Sequence, residues 1–534
     1  MLPLEDPRVT APILPTPTEV VPLRGSRNHW MTWVETHATM KPEAAAFRYL
    51  GVATSWRQLH ERSTAFARSL SGRGVNEGDR VLLLTLNRVE FFEAVLALNL
   101  LGAIAVPVNF RLTPPEAAYL AEDSGAIVIL TEPALLPLAQ AVRAAVPALG
   151  LTVVMGAETD SDHLGFEELV REGGPLLDVV LPDVPEDSTA LILYTSGTTG
   201  RPKGAMLTHV NLASQALTCI RAFATRVEDV SFMAAPVFHV AALGAVAPNF
   251  LLGVRTVIHP LREFSAADTL DAWEREQVTS VFLVPTQWQA VCADPSVHDR
   301  DLALRCISWG AAPASDTLLR VMATTFPRAR NIAVFGQTEM SPITCVLDGD
   351  DALRRLGSVG QVIPTIQARV VGAFGVPVAR GEIGEIVYRG PTLMKGYWNA
   401  PEATAEAFEG GWFHSGDLVR QDEDGFVWVV DRKKDMVISG GENIYCTEVE
   451  NAIAGHPDVV EVAVIGRADE RWGEVPVAVV VLRVGVPDLT LVDLRAFLRD
   501  RLASYKHPRG IVLRDRLPRN ASGKVVKPQL RAEL

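Results

Sequence analysis

The stretch Tyr194-Thr-Ser-Gly-Thr-Thr-Gly-Arg-Pro-Lys203-Gly204 decides how the rest of the chain is interpreted. The apolar run from Ala190 to Tyr194 predicts a buried strand leading into it. Thr208 predicts the N-cap of a helix that runs to about Ile220. We therefore expect a strand, a loop and a helix in that order.

This loop contains the residue types that bind phosphate groups. Glycines let backbone N–H groups approach phosphate oxygens, hydroxyls donate hydrogen bonds, and a lysine supplies positive charge. The predicted phosphate-binding residues are Thr195, Ser196, Gly197, Thr198, Thr199 and Lys203. The loop is not a Walker motif, and the Gly523-Lys524 pair near the end of the chain is followed by valine rather than serine or threonine. An ordinary polar turn has a similar composition, so the assignment needs support from other motifs.

The composition excludes several classes of protein. With 534 residues and 48% apolar content, the chain predicts a globular protein with several subdomains rather than a disordered one. The formal net charge of -13 disfavours binding to nucleic acid or to anionic lipid, so an anionic ligand needs local positive charge. The five cysteines show no zinc-binding spacing and indicate reduced thiols in the cytoplasm.

Two segments bear on the location of the protein. The first 22 residues are rich in proline, lack the pattern of a signal peptide and predict an extended arm. The uncharged stretch 231–254 is long enough to span a bilayer, but Pro236, His239, Pro248 and Asn249 interrupt it. We therefore expect a strand, a loop and a buried helix here, and no transmembrane segment.

The fold class predicted from the periodicity is α/β. Apolar strand-like runs alternate with helical stretches up to about residue 430, which indicates a large N-terminal domain of layered α/β subdomains. Short strands after Gly381 predict a small β-rich subdomain. The charged segment 431–435 predicts a hinge, so the expected domains are 1–430 and 436–534, the second a small mobile α+β unit.

Further motifs follow the loop in a fixed order. They are Ser308-Trp-Gly-Ala-Ala-Pro313, Phe335-Gly-Gln-Thr-Glu339, His414-Ser-Gly-Asp417, the run DRKKDMVISGGENIYCTEVE from Asp431 to Glu450, and Asn520-Ala-Ser-Gly-Lys524. Taken in this order, they resemble the adenylate-forming superfamily, and specifically its acyl-CoA synthetase branch. The resemblance covers nearly the whole chain.

The resemblance implies that a carboxylic acid is joined to the α-phosphate of ATP, with Mg²⁺ and release of pyrophosphate, and that CoA then accepts the acyl group. Thr195 and Glu339 are the expected metal ligands, and Lys524, Glu339, His239 and Thr195 the expected catalytic residues. Asp417 and Arg432 are expected at the ribose. The expected adenine-binding and neighbouring nucleotide-binding residues are Gly310, Ala311, Ala312, Pro313, Phe335, Gly336, Gln337 and Thr338.

The second half-reaction implies a rotation of the C-terminal domain about Lys434. The loop Ser439-Gly440-Gly441 is then expected to line the path of the pantetheine arm, and His239 to act as a gate between the ATP and acyl sites. The expected acyl pocket is apolar and consists of Val240, Ala241, Ala242, Trp288, Trp309, Ala311 and Met340. This composition predicts a hydrophobic acid, with a fatty acid as the first expectation. A medium or long aliphatic chain, a ring acid and a sterol-derived side chain all stay open, because the choice depends on pocket depth.

Other functions share these motifs. Amino-acid activation is disfavoured because His239, not aspartate, follows Phe238. Transfer to a carrier protein and luciferase-like oxygenation stay open, and a catalytically dead relative is disfavoured by the presence of Lys524 and Glu339. The expected partners are the acid, ATP, CoA and, in a homodimer, a second copy of the chain.

Overall fold

The computed structural model describes residues 28–160, 162–174, 181–195, 201–312, 314–372, 375–440, 442–519 and 525–534. Its α-helices are α1 (Trp30–Met40), α2 (Trp56–Ser71), α3 (Val89–Leu101), α4 (Pro114–Ser124), α5 (Leu136–Ala145), α6 (Phe166–Glu172), α7 (His209–Phe223), α8 (Val240–Leu252), α9 (Ala266–Glu276), α10 (Pro285–Ala293), α11 (Asp316–Thr325), α12 (Gly349–Ala352), α13 (Pro401–Ala407), α14 (Cys446–Ala454), α15 (Leu491–Leu498) and α16 (Lys527–Ala532).

The strands are β1 (Ala45–Tyr49), β2 (Val52–Ser55), β3 (Arg80–Leu83), β4 (Ile104–Pro107), β5 (Val128–Thr131), β6 (Leu151–Val154), β7 (Leu164–Gly165), β8 (Thr189–Thr195), β9 (Lys203–Thr208), β10 (Val230–Met233), β11 (Arg255–Ile258), β12 (Ser280–Leu283), β13 (Cys306–Gly310), β14 (Arg330–Gly336), β15 (Ile343–Leu347), β16 (Gly360–Val362), β17 (Gln367–Val371), β18 (Ile383–Arg389), β19 (Gly396–Tyr397), β20 (Phe413–Gln421), β21 (Phe426–Arg432), β22 (Val437–Ser439), β23 (Glu442–Ile444), β24 (Val459–Asp469), β25 (Gly473–Leu482) and β26 (Gly510–Leu513).

Within the described ranges these strands form three sheets. The largest has the order β17-β18-β20-β21-β16-β15-β14-β13-β12-β10-β11-β1-β2, and the second β19-β9-β8-β4-β3-β5-β6-β7. One hydrophobic cluster contains residues from both sheets, such as Phe47 of β1 and Leu191 of β8, together with Phe92 of α3 and Phe250 of α8. The mixed α/β fold class predicted from the periodicity is confirmed.

The phosphate loop leads into a strand rather than directly into the predicted helix. It connects β8 to β9, which runs antiparallel to β8 and pairs its Lys203 with Thr195 of β8. Helix α7 begins only after β9. The predicted order of strand, loop and helix is confirmed, but the strand β9 between the loop and the helix was not predicted. Thr208 does cap α7, because its side chain accepts a hydrogen bond from the N–H of Asn211. The short run Lys203–Thr208 becomes a strand because β8 supplies its ladder partners, which periodicity within six residues does not reveal.

The strands of the predicted β-rich subdomain do not form a separate sheet. β18, β20 and β21 continue the largest sheet through β16, so the parallel strands β10 to β14 share one sheet with them. This arrangement places β14 and β20, which both carry predicted nucleotide-binding residues, in the same sheet.

Residues 231–254 form β10 and α8 instead of one long helix. Among the residues that the structure describes, no helix is long and apolar enough to cross a membrane.

A third sheet begins after the predicted hinge. It has the order β23-β22-β25-β24, with β26 added beside β25. The chain leaves the largest sheet at Arg432 and enters this one at Val437. The predicted domain boundaries stay a prediction, but the change of sheet falls at the predicted hinge.

Candidate active site

The structure brings Thr195 and Glu339 together, although they lie 144 residues apart in the chain. Thr195 ends β8, and Glu339 lies in a short helical turn, Thr338–Met340, that follows β14. The Thr195 hydroxyl donates to Glu339 Oε1 across 3.4 Å. The backbone oxygen of Glu339 accepts from the Met394 N–H at 2.8 Å, which fixes this turn against a third segment.

Tyr397 also contacts Glu339, and sequence reasoning missed it. Its hydroxyl donates to the same Oε1 atom at 3.0 Å. Burial, together with the Glu339 charge, raises the pKa of Tyr397, so the hydroxyl keeps its proton and remains a donor. The ammonium of Lys203 lies 5.3 Å from the centre of the tyrosine ring. The only sequence signal was an aromatic residue after a glycine in Gly396-Tyr397, which is weak by itself.

The residues present fit a magnesium ion. Glu339 is only 8% exposed and supplies a hard anionic oxygen, and the Thr195 hydroxyl supplies a neutral one beside it. Mg²⁺ would be held by these two side chains, and when bound it supplies charge neutralisation and polarisation of phosphate oxygens. Tyr397 and Thr195 both engage Oε1 and thereby orient the Glu339 carboxylate.

The end of β8 is held by a half-buried hydrogen-bond network on Asp123. The Tyr194 hydroxyl donates to Asp123 Oδ2 at 2.6 Å, and the Trp398 indole donates to the backbone oxygen of Asp123 at 3.1 Å. Because α4 and the segment after β19 meet at this point, Thr195 is held in place by contacts remote in sequence.

The predicted adenine-binding residues lie on neighbouring parallel strands. Gly310 ends β13 and pairs with Val334 of β14, directly before Phe335 and Gly336. Ala311 and Ala312 continue from β13 and are exposed, whereas Gln337 and Thr338 follow β14. The two segments thus follow the carboxyl ends of neighbouring parallel strands. They lie side by side there, as binding of the flat adenine ring between them requires.

The predicted ribose residues form an ion pair. Asp417 of β20 lies opposite Arg432 of β21, and Arg432 Nε is 2.7 Å from Asp417 Oδ1. Asp417 is 1% exposed, and a buried carboxylate needs a nearby positive charge. The Arg432 guanidinium supplies it. The pairing of these two strands, rather than proximity in sequence, sets this geometry.

His239 is the N-cap of α8. Its Nδ1 accepts a hydrogen bond from the Ala241 N–H at 3.2 Å, so the neutral ring carries its proton on Nε2. The preceding Phe238 packs edge-on against Phe110, with 5.7 Å between ring centres. Helix capping therefore orients the predicted gate.

The predicted acyl-pocket residues fall into two hydrophobic clusters. Val240, Ala242 and Met340 belong to the cluster that packs between the two large sheets. Trp288 and Trp309 belong to another, where their indole nitrogens donate to the Ser308 oxygen and the Asn331 side chain. Ala241 is half-buried at the start of α8.

The C-terminal segments show how the predicted CoA loop and hinge are built. Gly440 has a φ of +60°, and a Cβ there would lie 2.6 Å from the Trp472 ring, so only glycine fits. Ser439 ends β22 directly before it. Lys434 lies between the largest sheet and the third sheet, where partial desolvation of its ammonium lowers its pKa.

Several predicted residues lie outside the described part of the chain. These are Ser196, Gly197, Thr198, Thr199, Pro313, Gly441 and Lys524. Their assigned roles stay predictions.

Comparison with known proteins decides the family. The AMP-binding enzyme model matches residues 34–398, and the AMP-binding enzyme C-terminal domain model matches residues 448–524. The chain belongs to the AMP-binding enzyme family. Its expected assignment as an AMP-forming acid–thiol ligase, which makes a CoA thioester through an acyl-adenylate from ATP with Mg²⁺, is confirmed at this level.

Similar proteins share almost the full length of this family member. A feruloyl-CoA synthase of Amycolatopsis sp. is 42% identical over 94% of the chain and 98% of the relative. A long-chain-fatty-acid–CoA ligase of Mycobacterium tuberculosis is 36% identical over 94% of the chain and 98% of the relative. The structure of O-succinylbenzoate coenzyme A synthetase from Bacillus subtilis, in complex with ATP and magnesium ion, matches with a TM-score of 0.82 and 32% identity over 93% and 98% of the two chains.

Proposed function

We propose that this ligase activates a compact hydrophobic acid that carries an aromatic ring. The contact that carries the proposal is between Gly244 of α8 and Pro342, the second residue after the turn Thr338–Met340. A Cβ at Gly244 would lie 2.9 Å from Pro342 Cδ, so the helix backbone and the proline ring are already in contact. This closed contact favours a short, wide acid over an extended chain that would pass between them.

The chemistry of the surrounding residues supports a hydrophobic acid. Val240, Ala242 and Met340 are buried and offer no charge or hydrogen-bonding side chain for a polar tail. The similarity to a feruloyl-CoA synthase supports an aromatic ring in the substrate. A fatty acid, the first expectation from the sequence, is the second candidate and is supported by the similarity to a long-chain-fatty-acid–CoA ligase.

A panel of acids tests this proposal. Thioester formation would be measured with ferulate, indole-3-acetate, octanoate and palmitate at saturating ATP and CoA. We expect kcat/KM for an aromatic acid to exceed that for palmitate by at least about tenfold, the discrimination that apolar pockets achieve. A higher kcat/KM with palmitate would replace the proposal by the second candidate. Substituting a carrier protein for CoA in the same assay tests the acceptor.

The roles of individual residues form part of the proposal. We infer that Thr195 and Glu339 hold Mg²⁺ and that Asp417 accepts the ribose hydroxyls. Phe335 and the segment from Gly310 then contact adenine, and Lys524 meets the charge that develops during adenylation. Lys524→Ala should lower pyrophosphate release by at least about 100-fold, the usual effect of removing a charge-stabilising donor. Thioester formation from supplied acyl-adenylate should survive, and equal loss of both steps would remove Lys524 from this role.

The second half-reaction is assigned to a rotation about Lys434. It would bring Ser439, Gly440 and Gly441 to the acyl-adenylate, with His239 between the ATP and acyl sites. This assignment is supported by the change of sheet between Arg432 and Val437. It is also supported by the close approach of the Trp472 ring to Gly440, which leaves no room for a side chain at that position.

A further inference from the structure

The ribose-binding segment is a bulge in β20. Along the ladder with β18, Glu385 pairs with Leu418 and Val387 with His414, so Ser415 to Asp417 lie opposite Ile386 alone. Such bulges leave backbone groups without ladder partners and re-aim side chains near functional sites. The Asp417 N–H is satisfied by the Ser415 hydroxyl at 3.0 Å.

Glu385 supplies the other acceptor that the bulge needs. Its Oε1 accepts from the Gly416 N–H at 2.9 Å, and its Oε2 accepts from His414 Nδ1 at 3.1 Å. The Glu385 side chain is 7% exposed. Burial by itself would raise its pKa, but the bonds from His414, Lys433 and Gly416 outweigh burial and hold the pKa below its ordinary value. A buried, charged carboxylate therefore sits beneath the predicted ribose residue.

The same carboxylate binds the segment next to the proposed hinge. Lys433 Nζ is 3.0 Å from Glu385 Oε2, and the Lys433 N–H donates to the Gly416 oxygen at 2.9 Å. Lys433 thus contacts the bulge directly through its backbone and indirectly, through Glu385, by its side chain. Since Lys434 is the next residue, these contacts hold the chain on the N-terminal side of a rotation at that residue.

We propose that Glu385 is a positioning residue that shapes the ribose-binding bulge and, through Lys433, anchors the stationary side of the hinge. The proposal rests on the assignment of Asp417 to the ribose and of Lys434 to the hinge. It explains why a buried carboxylate that reaches no predicted substrate group is kept charged: Oε1 binds the bulge at Gly416, and Oε2 binds both His414 beside the bulge and Lys433 beside the hinge.

Two variants separate the effect of Glu385 on the ribose-binding bulge from its effect on the hinge. Glu385→Gln keeps the shape of the side chain and removes its charge. It should weaken ATP binding about tenfold and reduce the preference for ATP over 2′-deoxy-ATP, as loss of a charged hydrogen bond predicts. Lys433→Met should leave ATP affinity within about twofold but slow thioester formation from supplied acyl-adenylate at least about fivefold, because only the charge-assisted hinge contact is removed.

The measurements are equilibrium binding of both nucleotides and single-turnover rates of each half-reaction. In the double variant, the loss of thioester rate should equal that of Glu385→Gln alone, because both substitutions break the same Glu385–Lys433 contact. Arg73→Met is the matched control, because it breaks an ion pair with Glu172 of α6, a helix that carries no site residue.

Clear results would overturn the proposal. Unchanged nucleotide affinity and unchanged discrimination in Glu385→Gln, or additive rate losses in the double variant, would leave Glu385 a structural residue. Lys433 is 63% exposed, so its variant tests the hinge contact even if Glu385→Gln folds poorly. Wild-type protein that fails to distinguish ATP from 2′-deoxy-ATP, or fails to form a thioester, would instead refute the proposed function.

Discussion

Replacing Tyr397 by phenylalanine tests the geometry of the candidate metal site most directly. The substitution removes one hydroxyl and keeps the ring beneath Lys203. In the structure this hydroxyl donates to Glu339 Oε1 at 3.0 Å, while Thr195 donates to the same atom at 3.4 Å. The shorter bond should contribute most to the orientation of the carboxylate.

The magnitude depends on the charge of the acceptor. Hydrogen bonds to charged groups contribute about 1.5–3 kcal/mol, and the lower end applies because Tyr397 is half-buried and water can replace the hydroxyl. About 1.5 kcal/mol corresponds to roughly a tenfold fall in kcat/KM for pyrophosphate release. Tyr397→Leu also removes the ring under Lys203 and should cost a further factor of about two to five.

The assay compares metal dependence with metal binding. Pyrophosphate release is measured over a range of Mg²⁺ concentrations, and Mn²⁺ binding is measured with a non-hydrolysable ATP analogue present. Both should weaken in Tyr397→Phe, whereas Tyr49→Phe, a half-buried tyrosine outside the site, serves as the control. An unaltered metal dependence in Tyr397→Phe would refute this role of the hydroxyl, whereas equal losses in the two variants would refute the contribution of the ring beneath Lys203.

Three further outcomes are expected. Lys434→Pro should leave pyrophosphate release in a single turnover near normal and abolish most thioester formation, since proline fixes φ; equal loss of both steps would contradict the hinge. Gly244→Ala should lower the free energy of unfolding by about 1–3 kcal/mol, because its Cβ would lie 2.9 Å from Pro342 Cδ, and denaturant titration checks this. The buried rings of His29 and His209 stack 3.5 Å apart, and burial lowers the pKa of both. The free energy of unfolding should therefore be highest above about pH 6.5. Below that pH it should fall by about 1.4 kcal/mol per pH unit for each histidine that stays neutral in the folded state, and the melting temperature should fall with it. His29→Phe should make the fall in melting temperature less steep.

Local patterns predicted much of the fold. The strand through Ala190 to Tyr194 and the helix capped by Thr208 lie where they were expected, because periodicity and capping residues act over a few positions. β9 was missed, because its ladder partner rather than its own pattern makes it a strand. The position of the two tryptophans, Trp288 and Trp309, in a core cluster apart from Val240 also lay beyond the reach of local patterns.

The sequence by itself determined the family, the order of its motifs and the chemical types available at each, since these are properties of residues read along one chain. Only the tertiary structure decided which of them meet. Thr195 reaches Glu339 across 144 residues, and Tyr397 joins them from another segment. Glu385 meets both Lys433 and the Gly416 N–H of the bulge in β20, which lie 48 and 31 residues further along the chain. Such contacts depend on strand register and on which segments pack together, and the physical forces that set these act between parts of the chain that the sequence leaves far apart.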